Sequence, residues 1–229
     1  MKKILQLLFE HKTLDRTAAK EVLMHIGQGI YNEHEVTAFM TVFLMRSITI
    51  EELQGFQDAL MELCVKADLK DFETIDIVGT GGDGKNTFNI STIACFIVAG
   101  AGQMVAKHGN YGASSISGAS NVMEALGYRF SNDNEKLKRE MEIANICFLH
   151  APLFHPALKV VGPIRKNLAM RTFFNMLGPM ANPALPNFQL VGVYSLEMAR
   201  VYNYLLQKTG RPFTIIHSLD GYDEISLTG

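Results

Sequence analysis

The chain has 229 residues, of which 48% are apolar and 19% charged, and its formal net charge is −2. High apolar content with so little net charge excludes an intrinsically disordered protein. Lysine and arginine number 21 against 23 acidic residues, which argues against a general nucleic-acid binder. The sequence therefore predicts a globular protein that is large enough to bury a core of its own.

The cysteines and the amino terminus bear on the cellular compartment. Glu10–Lys12 ends the first apolar stretch too early for a signal peptide, and no apolar run is long enough to span a membrane. Cys64, Cys95 and Cys147 are widely spaced and odd in number, which favours reduced thiols over a disulfide framework or a zinc site. We therefore expect a cytoplasmic protein.

The first part of the chain, residues 1–66, has the apolar spacing of amphipathic helices. One helix is predicted from about Asp15 to Ile26, and Thr49 with Glu52 forms a capping-box signature before a later one. Two apolar stripes recur at helical spacing, Val36, Phe39, Met40, Phe43 and Leu44, then Leu53, Phe56, Leu60, Met61 and Cys64. Because these stripes are wide, the segment is expected to pack as a small helical bundle.

Beyond Asp71 the pattern changes to strands that alternate with helices. Strands are predicted at 74–78, 104–106, 146–149, 189–194 and 213–217, and helices at 91–99, 121–126, 133–144 and 196–208. This alternation indicates a mainly parallel sheet with helices on both faces. Between them, residues 152–187 are expected to form short helices that are broken by Pro156, Pro163, Pro179, Pro183 and Pro186.

The predicted fold class is therefore α/β, with a small N-terminal helical bundle and a larger, mainly parallel α/β domain. We expect the helical domain at 1–66, with a return segment at about 163–187. The α/β domain is expected at 72–162 and 188–229.

A glycine-rich run, Gly79–Gly84, lies between a predicted strand and a predicted helix. Backbone amides at such a place can form an anion-binding nest. The run matches G-x-G-x-x-G, but the next strand ends in Lys107 and His108 where a dinucleotide fold needs an acid. It also nearly matches a P-loop, but Asn86 stands where Mg²⁺ needs a hydroxyl. A plain glycine turn is the third interpretation.

The residues around this run favour a polyanionic ligand. From Gly84 to Met123 the chain has no aspartate or glutamate, but it has two lysines and many hydroxyl side chains. Some of these hydroxyls are explained equally well as helix N-caps. Hydroxyls, amides and a lysine in loops suit a diphosphate. Asp223 and Glu224, which follow the last predicted strand, could hold Mg²⁺, although such a pair is also common in solvated loops.

Taken in order along the chain, these motifs resemble those of the anthranilate phosphoribosyltransferases of the tryptophan branch. The matching residues are Gly79–Asp83, Asn89–Thr92, Lys107–Asn110, Ser114–Ser115, Gly118 with Glu124–Gly127, Ala151–Ala157, Arg165, Arg171–Pro179, Asn182–Pro183 and Asp223–Glu224. Pyrimidine nucleoside phosphorylases share the implied fold, but their second loop reads Lys-His-Ser.

The resemblance implies a homodimer that associates through the helical domain. It also implies a glycosyltransferase that joins phosphoribosyl pyrophosphate to anthranilate and releases pyrophosphate, with two Mg²⁺ ions on the donor diphosphate. The donor would meet Gly79, Gly82, Asp83, Thr87, Asn89, Ile90, Ser91, Thr92, the run from Lys107 to Ser115 (Ser114 included) and Ala119. Mg²⁺ would be held by Ser91, Asp223 and Glu224, and anthranilate by Gly79, Asn110 and Arg165. Lys107 and His108 are the candidate catalytic residues.

Four residues depart from the pattern of the family. Tyr111 stands where many members have arginine, Asn121 for aspartate, and Ala169 and Ser218 for glycine. Members are also substantially longer, so the resemblance predicts that the C-terminal part of the α/β domain is missing and that this short chain is impaired. The alternative is an inactive or differently specific relative that binds another aromatic acid, a nucleoside or nucleic acid. Residues 1–66 argue against nucleic acid because their seven basic residues face nine acidic ones.

Overall fold

The computed structural model describes residues 1–85, 87–112 and 117–227. Its helices are α1 Lys2–Phe9, α2 Arg16–Gly27, α3 Glu33–Met45, α4 Ile50–Leu63, α5 Ile90–Gly100, α6 Ala119–Ala125, α7 Asn134–Ala144, α8 Ala151–Phe154, α9 Ala157–Leu168, α10 Phe174–Leu177 and α11 Leu196–Gln207, with a 3-10 turn at Gly178–Met180. Its strands are β1 Thr74–Gly79, β2 Met104–Gly109, β3 Ile146–His150, β4 Phe188–Gly192 and β5 Phe213–Ile216.

The chain forms two compact units. One consists of Met1–Val65 and His155–Ala181, and the other of Lys66–Phe154 and Asn182–Gly229. The sequence predicts the returning segment at about 163–187; in the structure it begins at His155. No described helix is long and apolar enough to cross a lipid bilayer.

The helical unit is built on close packing between α2 and α4. Gly55 permits this approach, because a Cβ atom there would lie 2.7 Å from the Cβ atom of Ala19. The predicted capping box begins α4: the backbone amide of Glu52 donates to Thr49 Oγ1 over 3.2 Å, and the amide of Thr49 donates to the Glu52 carboxylate over 2.9 Å. Phe56 stacks on Phe173, with ring centroids 4.6 Å apart, inside the core of this unit.

Pro163 is the one point in the described part of 152–187 where the expectation of broken helices is wrong. Helix α9 runs through this residue from Ala157 to Leu168. A proline clashes with the Cβ atom of the residue before it, and here that residue is Gly162, which has none. Pro163 itself is exposed, so the carbonyl group that loses its helical partner can be solvated.

The second unit contains a five-stranded parallel sheet of order β3-β2-β1-β4-β5, which confirms the predicted mainly parallel α/β domain. The chain first builds the sheet outward from β1 through β2 to β3. It then returns to the other side of β1 with β4 and β5. In open α/β sheets, ligands bind at the carboxyl ends of the strands where the order reverses, which is here between β1 and β4.

Candidate active site

Two glycines meet at the reversal point of the sheet. Gly79 ends β1 and lies in register with Gly192, which ends β4. Just beyond them, the amide of Thr80 donates to the carbonyl oxygen of Gly192 over 2.9 Å. The main chain then enters the glycine-rich run, in which Gly81, Gly82 and Gly84 all have positive φ angles. Such angles strain any residue with a Cβ atom, so this loop conformation requires glycine.

The acidic loop that follows β5 packs on these two glycines. A Cβ atom at Gly79 would lie 2.7 Å from Oδ2 of Asp223, and one at Gly192 would overlap the carbonyl oxygen of Asp223. The amide of Gly81 donates to Asp223 Oδ2 over 3.1 Å. The two glycines therefore form a cradle for Asp223 at the point where the sheet order reverses.

Three carboxylates converge at this cradle. Asp83, Asp223 and Glu224 each offer an oxygen, and these oxygens lie within 4.8 Å of one another. Burial raises the pKa of Asp223, and the charge of Asp83 raises it further. Burial and the neighbouring charge of Asp223 raise the pKa of Glu224 to about 7. Like charges at this spacing repel, so the cluster favours a counter-ion.

The donor chemistry of the cluster fits Mg²⁺. Carboxylate oxygens are the protein ligands that this ion prefers, and it usually takes one or two of them together with phosphate oxygens and water. Oε2 of Glu224 is buried and has no hydrogen-bond partner among the described residues. An acidic oxygen held away from water in this way is available to a cation. Asp83, expected only as a donor-binding residue, joins the predicted ligands Asp223 and Glu224 here.

One further contact links the glycine-rich loop to the acidic loop. The ammonium group of Lys85 lies 4.5 Å from the centroid of the Tyr222 ring, in a cation–π contact. Neither residue belongs to the set predicted from sequence. Because the two partners are far apart in the chain, no local pattern could have paired them.

Lys107 is buried, and its side chain contacts β1 and the first turn of α5. Its Nζ donates to the carbonyl oxygen of Ile77 over 2.6 Å and to Ser91 Oγ over 3.5 Å. Oδ1 of Asp76 accepts from the amide of His108 over 3.3 Å. Burial raises the pKa of Asp76, while the charge of Lys107 acts in the opposite direction. Both side chains are almost completely inaccessible to solvent, so little water screens the attraction between their charges.

Asp76 is a site residue that the sequence reasoning missed. It is the only ionisable residue in β1, a strand of buried or half-buried residues that leads to the glycine-rich loop. A charged residue inside a predicted buried strand was the available signal, because burying a charge is costly without a partner.

The remaining donor residues predicted from sequence lie at two helix starts. Asn89 precedes α5, and its Nδ2 atom lies 3.4 Å from Ser117 Oγ. Ile90, Ser91 and Thr92 form the first turn of α5, Thr87 is exposed before it, and Ala119 begins α6. Ser114 and Ser115 lie outside the described residues.

Asn110 lies at the carboxyl end of β2, where its carbonyl oxygen accepts from the amide of Ser120 over 3.1 Å. Arg165, the other predicted anthranilate ligand, belongs to the helical unit. Its Nη2 donates to Asn175 Oδ1 over 3.3 Å, and its guanidinium lies 5.5 Å from the centroid of the Phe174 ring. Burial lowers the pKa of Arg165. The Asn175 contact leaves other guanidinium donors for a ligand.

Residues 2–64 match the family model described as the helical bundle domain of a glycosyl transferase family, and residues 71–229 match the model of its a/b domain. The anthranilate phosphoribosyltransferase of Flavobacterium johnsoniae is 64% identical over the whole chain, which spans 69% of that protein.

The chain belongs to the anthranilate phosphoribosyltransferase family.

Solved structures of this family have the same fold. The anthranilate phosphoribosyltransferase of Thermus thermophilus has a TM-score of 0.88 and 33% identity, over 97% of this chain and 68% of that one. The Saccharomyces cerevisiae anthranilate phosphoribosyltransferase in complex with PRPP and Mg has a TM-score of 0.88 and 30% identity, over 98% of this chain and 67% of that one. A second complex of the yeast protein contains 4-fluoroanthranilate, with a TM-score of 0.84 at 28% identity, over 98% of this chain and 66% of that one.

The departures from the anthranilate phosphoribosyltransferase pattern have structural roles here. The Tyr111 hydroxyl donates to Glu124 over 2.6 Å, which ties the second loop to α6. Asn121 Oδ1 accepts from the amide of Gly112 over 3.1 Å and from that of Gly118 over 2.9 Å. Ala169 ends α9 with a φ angle of +50°, a conformation that suits glycine better. Tyr111 and Asn121 therefore stabilise the second loop, whereas Ala169 strains the end of α9.

Proposed function

We propose that this chain transfers the phosphoribosyl group of phosphoribosyl pyrophosphate to anthranilate. The C1–O bond of the donor to pyrophosphate breaks, and a bond forms from C1 to the aromatic amine nitrogen. That nitrogen then loses a proton, so the products are phosphoribosyl anthranilate, pyrophosphate and a proton. The family membership and the chemistry of the site support this reaction.

The observation that carries the proposal is the convergence of Asp83, Asp223 and Glu224 on the glycine cradle where the sheet order reverses. Carboxylates repel a free diphosphate. Their position beside the glycine-rich loop is therefore explained by a metal ion bound between the carboxylates and the diphosphate. Two bound Mg²⁺ ions would neutralise the diphosphate and stabilise the charge of the leaving pyrophosphate. Asp223 and Glu224, with Ser91, are the proposed ligands.

The glycine-rich loop and the second loop would hold the donor. Backbone amides at the start of α5 offer donors to phosphate oxygens. Lys107 contributes a buried cation that is held by the Ile77 carbonyl and on which the charge of Asp76 acts. Fixed charges of this kind stabilise a developing negative charge without reorganisation, and each is worth about 2.7–4 kcal/mol of barrier. Thr87, Asn89, Thr92, Ser114, Ser115 and Ala119 complete the proposed donor set.

Arg165, Asn110 and Gly79 would bind anthranilate. The planar guanidinium of Arg165 matches a carboxylate in two parallel hydrogen bonds, and its half-buried position strengthens that attraction. His108 lies at the end of β2 with its backbone held by Asp76, and it is the proposed group that orients the amine or accepts its proton.

The reaction is tested by following the loss of anthranilate fluorescence with phosphoribosyl pyrophosphate and Mg²⁺, with and without a chelator. We expect metal-dependent loss in the native chain and about 10²-fold lower kcat/KM in Asp223→Asn. Asp220→Asn, the same change at an exposed aspartate of the same loop, should retain native activity. Absence of both turnover and saturable donor binding would contradict the proposal.

The acceptor assignment is tested separately. Arg165→Ala should raise the KM for anthranilate while leaving the KM for the donor unchanged, since the lost contact belongs to the acceptor. Lys166→Ala removes an exposed cation from the next position of α9 and is the matched control. Faster turnover with another aromatic acid than with anthranilate would favour the differently specific alternative. His108→Ala with native kcat would exclude the proton-transfer role.

The helical unit is the proposed surface of a homodimer. Leu8, Phe9, Thr41, Val42 and Met45 help to line a groove of about 420 Å³, and Met45 and Phe9 are 84% and 63% exposed. Exposed apolar side chains that cluster in this way favour association. Met45→Asp should shift the protein toward monomer in sedimentation velocity. Met170→Asp, at another exposed methionine of the same unit, should not.

A further inference from the structure

Ser218 begins the acidic loop and is buried, with 7% of its surface exposed. Its hydroxyl donates to the carbonyl oxygen of Glu224 over 2.6 Å and accepts from the amide of Ser226 over 3.0 Å. These two bonds hold the main chain at Glu224 and at Ser226, on either side of Ile225. One side chain therefore joins the start of the loop to the segment that carries the acidic pair.

The backbone of Ser218 adds two further restraints to the same loop. Its amide donates to the carbonyl oxygen of Tyr222 over 3.0 Å, and its carbonyl oxygen accepts from the amide of Gly221 over 2.8 Å. Gly221 has a φ angle of +91°, which a glycine adopts without strain. The main chain immediately before Asp223 is thus already turned, and the hydroxyl of Ser218 closes the other half of the loop.

In the ligand-free protein these hydrogen bonds oppose the electrostatic repulsion between the carboxylates of the cluster. Asp83, Asp223 and Glu224 hold their oxygens within 4.8 Å of one another, and the side chains of Asp223 and Glu224 interact directly. When all three are ionised they repel, and an exposed loop would relieve the repulsion by opening. The Asp223 side is held by the amide of Gly81 and by the glycine cradle. The Glu224 side is held by the hydroxyl of Ser218.

We infer that Ser218 is a positioning residue that keeps Glu224 and Asp223 together in a metal-ready arrangement before Mg²⁺ and the donor bind. The inference rests on the proposed function for the identity of the ligand, because the acidic pair is there assigned to Mg²⁺. When a loop is already ordered, less free energy is lost in ordering it on binding. Ser218 is therefore expected to raise the affinity for the ligand.

Ser218→Ala removes both hydroxyl bonds and leaves the backbone bonds in place. Ser226→Ala is the matched control, because it keeps the amide that donates to Ser218 and removes a long, exposed hydrogen bond of 3.4 Å to Asp220. The first measurement is hydrogen–deuterium exchange of the ligand-free proteins. We expect the amides of 222–226 to exchange faster in Ser218→Ala and at the native rate in Ser226→Ala.

The second measurement is calorimetric titration of phosphoribosyl pyrophosphate in the presence of Mg²⁺, together with steady-state kinetics. We expect about tenfold weaker binding by Ser218→Ala, the loss typical of two neutral hydrogen bonds, and a kcat close to native at saturating donor. Native exchange or native affinity in Ser218→Ala would overturn the role of Ser218. Failure of the native protein to bind the donor would overturn the proposed function, and the assignment of the ligand with it.

Discussion

The carbonyl oxygen of Asp223 occupies the space that a Cβ atom would take at Gly192. Gly192 ends β4 and is the register partner of Gly79, which ends β1, so both glycines lie under the same aspartate. The absence of two side chains at the reversal point of the sheet is what admits the acidic loop. The carboxylate cluster thus depends on backbone packing as much as on its own charges.

Gly192→Ala should displace Asp223 and lower kcat/KM by about 10²-fold, since a shift of about 1 Å at a reacting site costs that much. Steady-state kinetics at several Mg²⁺ concentrations provide the measurement. Gly100→Ala is the control, because nothing lies within 4 Å of the Cβ atom it would add. Native kinetics in Gly192→Ala would show that the loop tolerates displacement.

Asp76→Asn should destabilise the protein by about 1.5–3 kcal/mol, because it removes a charged acceptor from the amide of His108 and the opposite charge that acts on the buried Lys107. Urea unfolding followed by circular dichroism measures this loss. The control is Asp68→Asn, which breaks a half-buried ion pair with Lys138 at 3.2 Å. That change should cost much less, because water and salt screen an ion pair at the surface. Equal losses in the two variants would refute the pairing of Asp76 with Lys107.

Ala169→Gly should stabilise the helical unit by roughly 0.5–1 kcal/mol. Ala169 has a φ angle of +50° at the end of α9, a conformation that costs a residue with a Cβ atom about 1–2 kcal/mol. Glycine avoids this strain, but its greater flexibility in the unfolded chain cancels part of the gain. Thermal unfolding is the measurement. Asn145, which ends α7 with a φ angle of +55°, is the comparison, because asparagine tolerates this conformation and Asn145→Gly should change little. A lower melting temperature for Ala169→Gly would contradict the strain argument.

His150 should make the stability of the protein depend on pH below about 6.5. It is buried, its Nδ1 lies 2.8 Å from Ser120 Oγ, and it stacks on Phe130 with centroids 4.2 Å apart. Burial lowers the pKa of His150, so the unfolded chain binds a proton at a higher pH than the folded one does. Stability is therefore retained above the unfolded pKa of about 6.5 and falls as the pH decreases toward the folded value.

Urea unfolding between pH 5 and 8 tests this dependence. His150→Gln should flatten the decline below about pH 6.5, whereas His34→Gln, at an exposed histidine, should leave the native profile unchanged. An identical decline in the native protein and His150→Gln would assign the pH dependence to other groups.

The sequence by itself determined the order and type of the elements and the motifs of the site. The period of the apolar residues separates the helices before Val65 from the strands after Asp71, because helices and strands bury their faces at different spacings. The glycine-rich run and the acid-free stretch from Gly84 to Met123 indicate an anion site without any tertiary information. These signals are local, and each needs only a few neighbouring residues.

Which of these motifs meet depends on how the strands and loops pack in three dimensions. The amide of Gly81 and the carboxylate of Asp223 are 142 positions apart, and they are joined because β4 and β5 return beside β1. The same packing brings Asp83 into the carboxylate cluster, places Asp76 beside Lys107 and lets the hydroxyl of Ser218 close the acidic loop. Side-chain periodicity determines which face of a strand is buried, but not which strand lies next to it, so contacts across the sheet depend on the packing of the whole unit.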